Sequence, residues 1–235
     1  MSKYIGLSTL EVLKNAKNYN KWIADKILAH IETPAIEIGA GIGNLTSYFL
    51  DKKPLYATDV DIELVSRLKK RFKHKNILID SLDITKKIPV KYRSFFATVF
   101  SINVLEHIKD DSKALKNMNH LLKNGGRIVL LVPAKKYAFT KLDKELGHYR
   151  RYERSEIINK LNKAGFVVEN ATFLNVVGLL SWFMRDKFNT GNIKLKPYQV
   201  KTFDFIVPFL RAAESFITIP VGISLVVVAT KTKKE

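Results

Sequence analysis

Glu37-Ile38-Gly39-Ala40-Gly41-Ile42-Gly43-Asn44 follows directly on the short apolar run Ala35 to Ile38, and that junction decides the fold. An apolar strand that ends in closely spaced glycines reads as the first strand-to-helix turn of an open parallel sheet. Such sheets bind ligands outside the carboxyl ends of their strands, where the strand order reverses. Glycines let the backbone turn tightly and approach a ligand closely. Dinucleotide sites use a similar turn, but two details point elsewhere. Asn44 stands where the dinucleotide fingerprint carries Gly or Ala. Glu37 places a carboxylate just before the glycines. It would repel a pyrophosphate and favour a ligand with a cationic amino group and no phosphate.

Outward from this turn, strands and helices alternate. Helical spacing of Trp22, Ile23, Ile27, Leu28 and Ile31 predicts an N-terminal helical cap over residues 10–31. After the glycine turn a helix is expected through Leu50, then a strand over Leu55 to Thr58 ending at Asp59. Ile62 to Phe72 is expected as a helix, Asn76 to Ile79 as a third strand and Phe96 to Ile102 as a fourth. Asp111 or Ser112 is expected to cap the next helix, which stops at Gly125-Gly126. Arg127 to Val132 reads as a fifth strand, Ser155 to Ala164 as a helix, Val167 to Phe173 as a sixth strand and Ser224 to Thr230 as a seventh. The alternation implies an α/β, Rossmann-like, doubly wound sheet with helices on both faces, a single domain over 1–235. Residues 175–222 break the alternation and read as a helical insertion between strands six and seven. This segment mixes Trp182, Phe183, Phe188, Phe203, Phe205, Phe209 and Phe216 with basic residues. A substrate lid, a membrane contact, a dimer contact or plain packing on the sheet would each use such a composition. Trp182 and Phe183 beside Arg185 and Lys187 suit an interfacial helix.

Composition bounds the function. The 235 residues contain no cysteine, which excludes disulfides and thiolate metal sites. His30, His74, His107, His120 and His148 are dispersed without metal-ligand spacing, so no metal is expected. Met1 to Leu10 has no apolar core followed by small residues, so no secretory leader is expected. The most apolar tract, Phe203 to Ala229, is interrupted by Asp204, Arg211 and Glu214, so no membrane span is expected. The expected location is the cytoplasm, free or peripheral to a membrane. The net charge of +18 brings nucleic acid and anionic membrane into view as partners. Lysines spread along the whole chain read equally as a solvated surface.

Further acids follow the sheet. Asp59 ends the second strand, with Val60 beside it, and can accept the hydroxyl hydrogens of a ribose; Asp61 suits the helix cap better. Asp83 can accept from an adenine amino group while Ile84 packs on the ring, or it forms a turn. The fourth strand ends in Asn103-Val104-Leu105-Glu106-His107. Together, Glu37 to Thr46, Asp59, Asp83, Asn103 to His107 and the turn Leu121 to Gly126 resemble the class I methyltransferases, especially those related to ubiquinone-biosynthesis and sugar methyltransferases. The resemblance covers residues 10 to 173. It implies S-adenosylmethionine as cofactor, S-adenosylhomocysteine as product, and a strand order 3-2-1-4-5-7-6 with strand seven antiparallel. It implies cofactor contacts from Glu37, Gly39, Ala40, Gly41, Gly43, Asn44, Asp59, Val60, Asp83, Ile84, Asn103 and Val104. The tract Gly147-His148-Tyr149-Arg150-Arg151-Tyr152, the ending Pro220 to Leu225 and Tyr19 to Trp22 are similar to methyltransferases found beside family 2 glycosyltransferases. That likeness implies a small-molecule or lipid-linked glycan acceptor.

Methyl transfer depends chiefly on alignment, and a hydroxyl acceptor gains from a general base. His148, after the fifth strand, is the first candidate and His107 a weaker one. Arg150, Arg151 and Tyr152 are candidate acceptor ligands; Tyr19 and Trp22 either cover the cofactor or pack in the core. The expected function is methylation, on oxygen, of a small-molecule or lipid-linked sugar acceptor. The rivals are a nucleic-acid methyltransferase, a non-catalytic cofactor-binding protein and a nicotinamide-dependent oxidoreductase. Against the first, no Asn/Asp-Pro-Pro-Tyr/Phe motif follows strand four.

Overall fold

A computed structural model describes residues 6–179, 197–216 and 220–232. The strands are β1 (Ala35–Ile38), β2 (Leu55–Asp59), β3 (Leu78–Ser81), β4 (Phe96–Ile102), β5 (Leu122–Pro133), β6 (Phe166–Leu174) and β7 (Ser224–Lys231). They form one sheet in the order β3-β2-β1-β4-β5-β7-β6. The pairs β3-β2, β2-β1, β1-β4 and β4-β5 are parallel. β7 runs antiparallel to both β5 and β6. This is the expected topology.

Side chains alternate across each strand, so the central strands feed two cores. Ile128, Leu130 and Val132 of β5 join Leu225, Val227 and Ala229 of β7 in one. Val129 and Leu131 join Val226 and Val228 in the other. The first core is closed by α4 (Asp111–Leu121) and α6 (Arg154–Lys163), through Leu115, Met118, Ile157 and Leu161. The second is closed by α2 (Lys17–Leu28), through Trp22, Ile23 and Ile27, and by Val207 of α7 (Pro197–Phe216). A sheet covered on both faces explains why its strands read as continuous apolar runs. α3 (Ile62–Arg71) and α1 (Leu7–Leu13) flank the glycine turn, and α5 (Lys141–Glu145) follows β5.

Among the described residues between β6 and β7, α7 packs on α2. Asp204 accepts from the amides of Asn18 (3.2 Å) and Tyr19 (2.8 Å). Ala16, at the start of α2, has no capping side chain; Asp204 satisfies the orphan amides from a distance. Arg211 pairs with Asp25 at 2.6 Å on the same face. Residues 182–188, where the interfacial helix was expected, lie outside the described residues. No helix among the described residues is long and apolar enough to cross a membrane.

Four boundaries depart from the sequence reading. The glycine turn leads only into a 3-10 turn, Thr46–Tyr48, rather than a helix through Leu50. The Ile42 carbonyl accepts from Arg71, and the side chains of Thr46 and Asn44 tie the segment to Glu37 and to the Leu10 carbonyl. β3 begins two residues late, at Leu78, because it is an edge strand with little burial to mark it. Asp110, not Asp111 or Ser112, caps α4. α4 ends at Leu121, where Leu122 turns extended to pair with Phe96, so Gly125-Gly126 lies within β5.

Asp111 has other duties. It accepts from the Tyr152 hydroxyl at 2.9 Å and pairs with Lys160 and Arg150, each at 2.8 Å. Tyr152 is fully buried, and its backbone bonds with Pro133 and Lys135 dock it beside the end of β5. Tyr152→Phe is therefore expected to cost about 1.5–3 kcal/mol in urea unfolding, the range for a hydrogen bond to a charged group.

Candidate active site

A large cavity of about 2390 Å³ opens at the carboxyl ends of β1, β2, β4 and β5. Ordinary small-molecule pockets hold about 300–1,000 Å³, so there is room for two ligands. One half is built by the glycine turn. Gly39 has φ +76°, and a Cβ added there would sit 2.4 Å from Val104 Cγ2. The amides of Gly39 and Ala40 donate to the Thr58 carbonyl at 2.8 and 2.9 Å, tying the turn to the end of β2. The Gly41 amide donates to Asp59 Oδ2 at 2.8 Å. Asn44 tethers α1 over the turn through Leu10. Gly43 faces away from the cavity: a Cβ there would meet Phe72 at 2.6 Å.

Glu37, Asp59, Val60, Asp83, Ile84, Asn103 and Val104 all line this half. Glu37 is buried, and its Oε2 accepts from the Thr46 hydroxyl at 2.7 Å. Burial pushes its carboxyl up to about 7; Thr46 opposes the shift and the nearby Asp59 adds to it. Asp59 is raised too, chiefly by burial. Its Oδ1 accepts from the Asp61 amide. A carboxylate offers about four lone-pair sites, so both oxygens retain capacity toward the cavity. Asp83 spends Oδ1 on the amide and hydroxyl of Thr85, a turn that also fixes its direction. Asn103 takes φ +52° and donates its amide to Leu131. Tyr19 lines the cavity, whereas Trp22 is packed in the second core.

The other half follows Val104. Glu106 is completely buried, and neither of its carboxylate oxygens has a hydrogen-bond partner. Burial pushes its carboxyl up to about 7, with His148 opposing the shift. His148 Nδ1 lies 2.8 Å from Asp143 Oδ1, and its Nε2 lies 4.0 Å from Glu106 Oε1. Asp143 is itself gripped by Arg151 Nε at 3.0 and 3.1 Å and by the Thr140 amide and hydroxyl. The His107 ring meets His148 edge-on at 4.6 Å, and burial, then the His148 charge, lowers its pKa to about 4.

The three expected acceptor ligands, Arg150, Arg151 and Tyr152, hold partners inside the protein, and Arg151 also lines the cavity. Arg151 is buried and locked on Asp143 and the Ala134 carbonyl. Arg150 pairs with Asp111 and donates to the Lys109 carbonyl. Tyr152 is a core residue. Adjacent residues that alternate in and out near a strand end cannot all face one ligand. Asp143 and Glu106 were not assigned roles in the sequence, because nothing local marks an acid that will be buried beside a distant histidine.

The comparisons with known proteins agree on one fold. The family model described as "Methyltransferase domain" matches residues 36–128, which include the glycine turn, Asp59, Asp83 and the Asn103 to His107 segment. The chain carries a methyltransferase domain, built on the class I, S-adenosylmethionine-dependent methyltransferase fold. No curated protein matches it significantly. Solved structures that share the fold include the Haloferax volcanii complex of the Trm112 methyltransferase activator with a methyltransferase. That likeness has 15% identity and a TM-score of 0.69, and covers 99% of each chain. A Clostridium acetobutylicum S-adenosylmethionine-dependent methyltransferase shows 14% identity and a TM-score of 0.59, over 93% of this chain and 92% of that one. Phosphoethanolamine N-methyltransferase 2 of Haemonchus contortus, in complex with S-adenosylmethionine, shows 15% identity and a TM-score of 0.61, over 92% and 53%.

The cavity of this methyltransferase fits its cofactor. Its walls carry Glu37, Asp59, Asp83 and Glu106, an acidic lining inside a protein of net charge +18. Such a lining suits a sulfonium and an ammonium and disfavours phosphates. Two outcomes follow. Gly39→Ala is expected to destabilise the methyltransferase by more than the about 1–2 kcal/mol that left-handed backbone costs an L residue, because Val104 must also move. Gly125→Ala, at φ +72° with nothing within 4 Å of its Cβ, costs only the backbone amount; urea unfolding of both separates the two terms. The second concerns pH. The folded value of Glu37, about 7, lies above its ordinary 4.5. The stability it allows is complete below pH 4.5 and is lost as pH rises through 7. Glu37→Gln should therefore lessen the fall in melting temperature of the ligand-free protein between pH 5 and pH 8.

Proposed function

We propose that this methyltransferase methylates a hydroxyl oxygen on a small-molecule or lipid-linked sugar acceptor. The observation that carries the reading is the Asp143–His148 pair at the cavity wall, with Nδ1 engaged at 2.8 Å. A histidine so held carries its proton on Nδ1 and keeps Nε2 as the acceptor, the arrangement that takes a proton from a reacting hydroxyl. The Arg151 grip on Asp143 fixes the carboxylate that orients the ring. Glu37 faces the cationic amino group of S-adenosylmethionine, Asp59 with Val60 the ribose, and Asp83 with Ile84 the adenine. The glycine turn, Asn103 and Val104 pack along the cofactor and Tyr19 covers it. When bound, S-adenosylmethionine supplies a methyl group already activated by its sulfonium. The chain's own task is to align the acceptor and receive its proton.

A lipid-linked acceptor suits the outer face of α7, where Tyr198, Phe205 and Phe209 are exposed by 63%, 75% and 70%. Apolar side chains so placed on a strongly basic protein favour a peripheral contact with anionic membrane.

The test is transfer of labelled methyl from S-adenosylmethionine into soluble sugars and into a lipid-linked sugar fraction. His148→Asn is expected to lower kcat about 100-fold or more, the usual contribution of a general base. Asp143→Asn should lower it less, and S-adenosylhomocysteine affinity should stay within about twofold in both. Label that enters amines alone, or full turnover by His148→Asn, would overturn the reading.

A further inference from the structure

The sequence offers no metal-binding spacing, yet the fold gathers one. Glu106 and His107 stand at the end of β4, and His148 arrives from the loop after α5. One ligating atom from each lies within 4.8 Å of the others. Glu106 is the telling member. A fully buried carboxylate with neither oxygen hydrogen-bonded is a costly arrangement, and buried charges ordinarily pair or hold a metal. Its nearest cationic candidate is His148 Nε2 at 4.0 Å, beyond hydrogen-bond reach.

The histidines are prepared for a ligand. His148 has its other nitrogen on Asp143, the carboxylate–histidine support that fixes the tautomer and ring plane of a metal-binding imidazole. His107 is hydrogen-bonded to the backbone of Gly147, a second support of the same kind. Asp143 is in turn held by Arg151 and Thr140.

We propose that Glu106, His107 and His148 bind a divalent transition-metal cation, of the zinc, cobalt or manganese class, whose open coordination positions face the cavity. Two imidazoles and one carboxylate form a donor set suited to these ions rather than to magnesium or calcium, which prefer oxygen ligands. Bonds of about 2.0–2.2 Å to a tetrahedral ion place ligating atoms about 3.3–3.6 Å apart. Side-chain shifts of about 1 Å close the cluster from its spread of 4.8 Å. With the cation bound, His148 Nε2 is a ligand rather than the base; the cation would neutralise Glu106, hold the acceptor oxygen beside the methyl group of the cofactor and lower the hydroxyl's pKa, so that its proton leaves to water. That role rests on the hydroxyl-acceptor reading; the site itself does not.

The test uses the full chain, stripped with chelator and then titrated with cobalt(II) chloride and zinc chloride by calorimetry and visible absorption. The expected result is one equivalent bound with a cobalt spectrum of nitrogen and oxygen ligation. Glu106→Gln and His148→Ala should each bind at least about tenfold more weakly, and Asp143→Asn about 10–100-fold more weakly, the range for supporting groups. S-adenosylhomocysteine binding by each variant reports that it is folded. A stripped wild-type protein that binds S-adenosylhomocysteine but takes up no cobalt or zinc overturns the proposal. So does uptake undiminished in both Glu106→Gln and His148→Ala, which would place the ion on His30, His74 or His120. Full methyl transfer to a hydroxyl by the stripped protein, without metal uptake, overturns the cation and leaves the hydroxyl reading standing. Metal uptake with label entering amines alone does the reverse.

Discussion

The contact between Gly39 and Val104 is the constraint on which the rest of this molecule depends. The turn after β1 and the end of β4 approach so closely that Val104 occupies the space a Cβ on Gly39 would need. The approach has two effects. It presses the glycine turn onto Asp59 and Thr58 of β2, shaping the half of the cavity that suits a cofactor. It also fixes where the segment after Val104 begins, and that segment carries Glu106 and His107. The two halves of the cavity thus meet at one backbone junction in the middle of the sheet, where the strand order reverses.

Buried charge organises the half of the cavity beyond Val104. Asp143, itself fully buried, collects Arg151, His148 and Thr140, and Asp111 collects Tyr152, Lys160 and Arg150. Buried charges are tolerated when paired and hydrogen-bonded. These two acids explain why a tract rich in Arg and Tyr serves mainly as scaffold. Arg151 positions Asp143, Asp143 positions His148, and His148 alone of the tract brings a ring nitrogen to Glu106. Among the described residues, Glu106 is the carboxylate whose two oxygens are both buried without a hydrogen-bond partner.

The methyltransferase architecture was legible in the chain because it rests on local patterns. Apolar strands covered on both faces read as unbroken runs, and left-handed turns call for glycine. The ranges of β1, β4 and α3 follow from such patterns almost to the residue. Edges and caps were less legible. β3 is half-exposed and lacks a strong apolar signature, and α2 is capped by Asp204, far along the chain. The helix expected after the glycine turn gives way to a short turn whose Ile42 carbonyl accepts from Arg71 and whose Thr46 and Asn44 side chains bond to Glu37 and the Leu10 carbonyl.

The sequence by itself determined the fold class, the strand order through resemblance, the glycine turn, and the acids Glu37, Asp59 and Asp83 at successive strand ends. These follow from backbone conformation and periodic burial, which neighbouring residues encode. Only the tertiary structure decided which polar residues of the later tract face the cavity. It buried Tyr152, spent Arg150 and Arg151 on internal acids, and brought His148 beside Glu106 and His107. The reason is physical: a side chain's partner is set by packing between segments distant in sequence, and no local pattern records that distance.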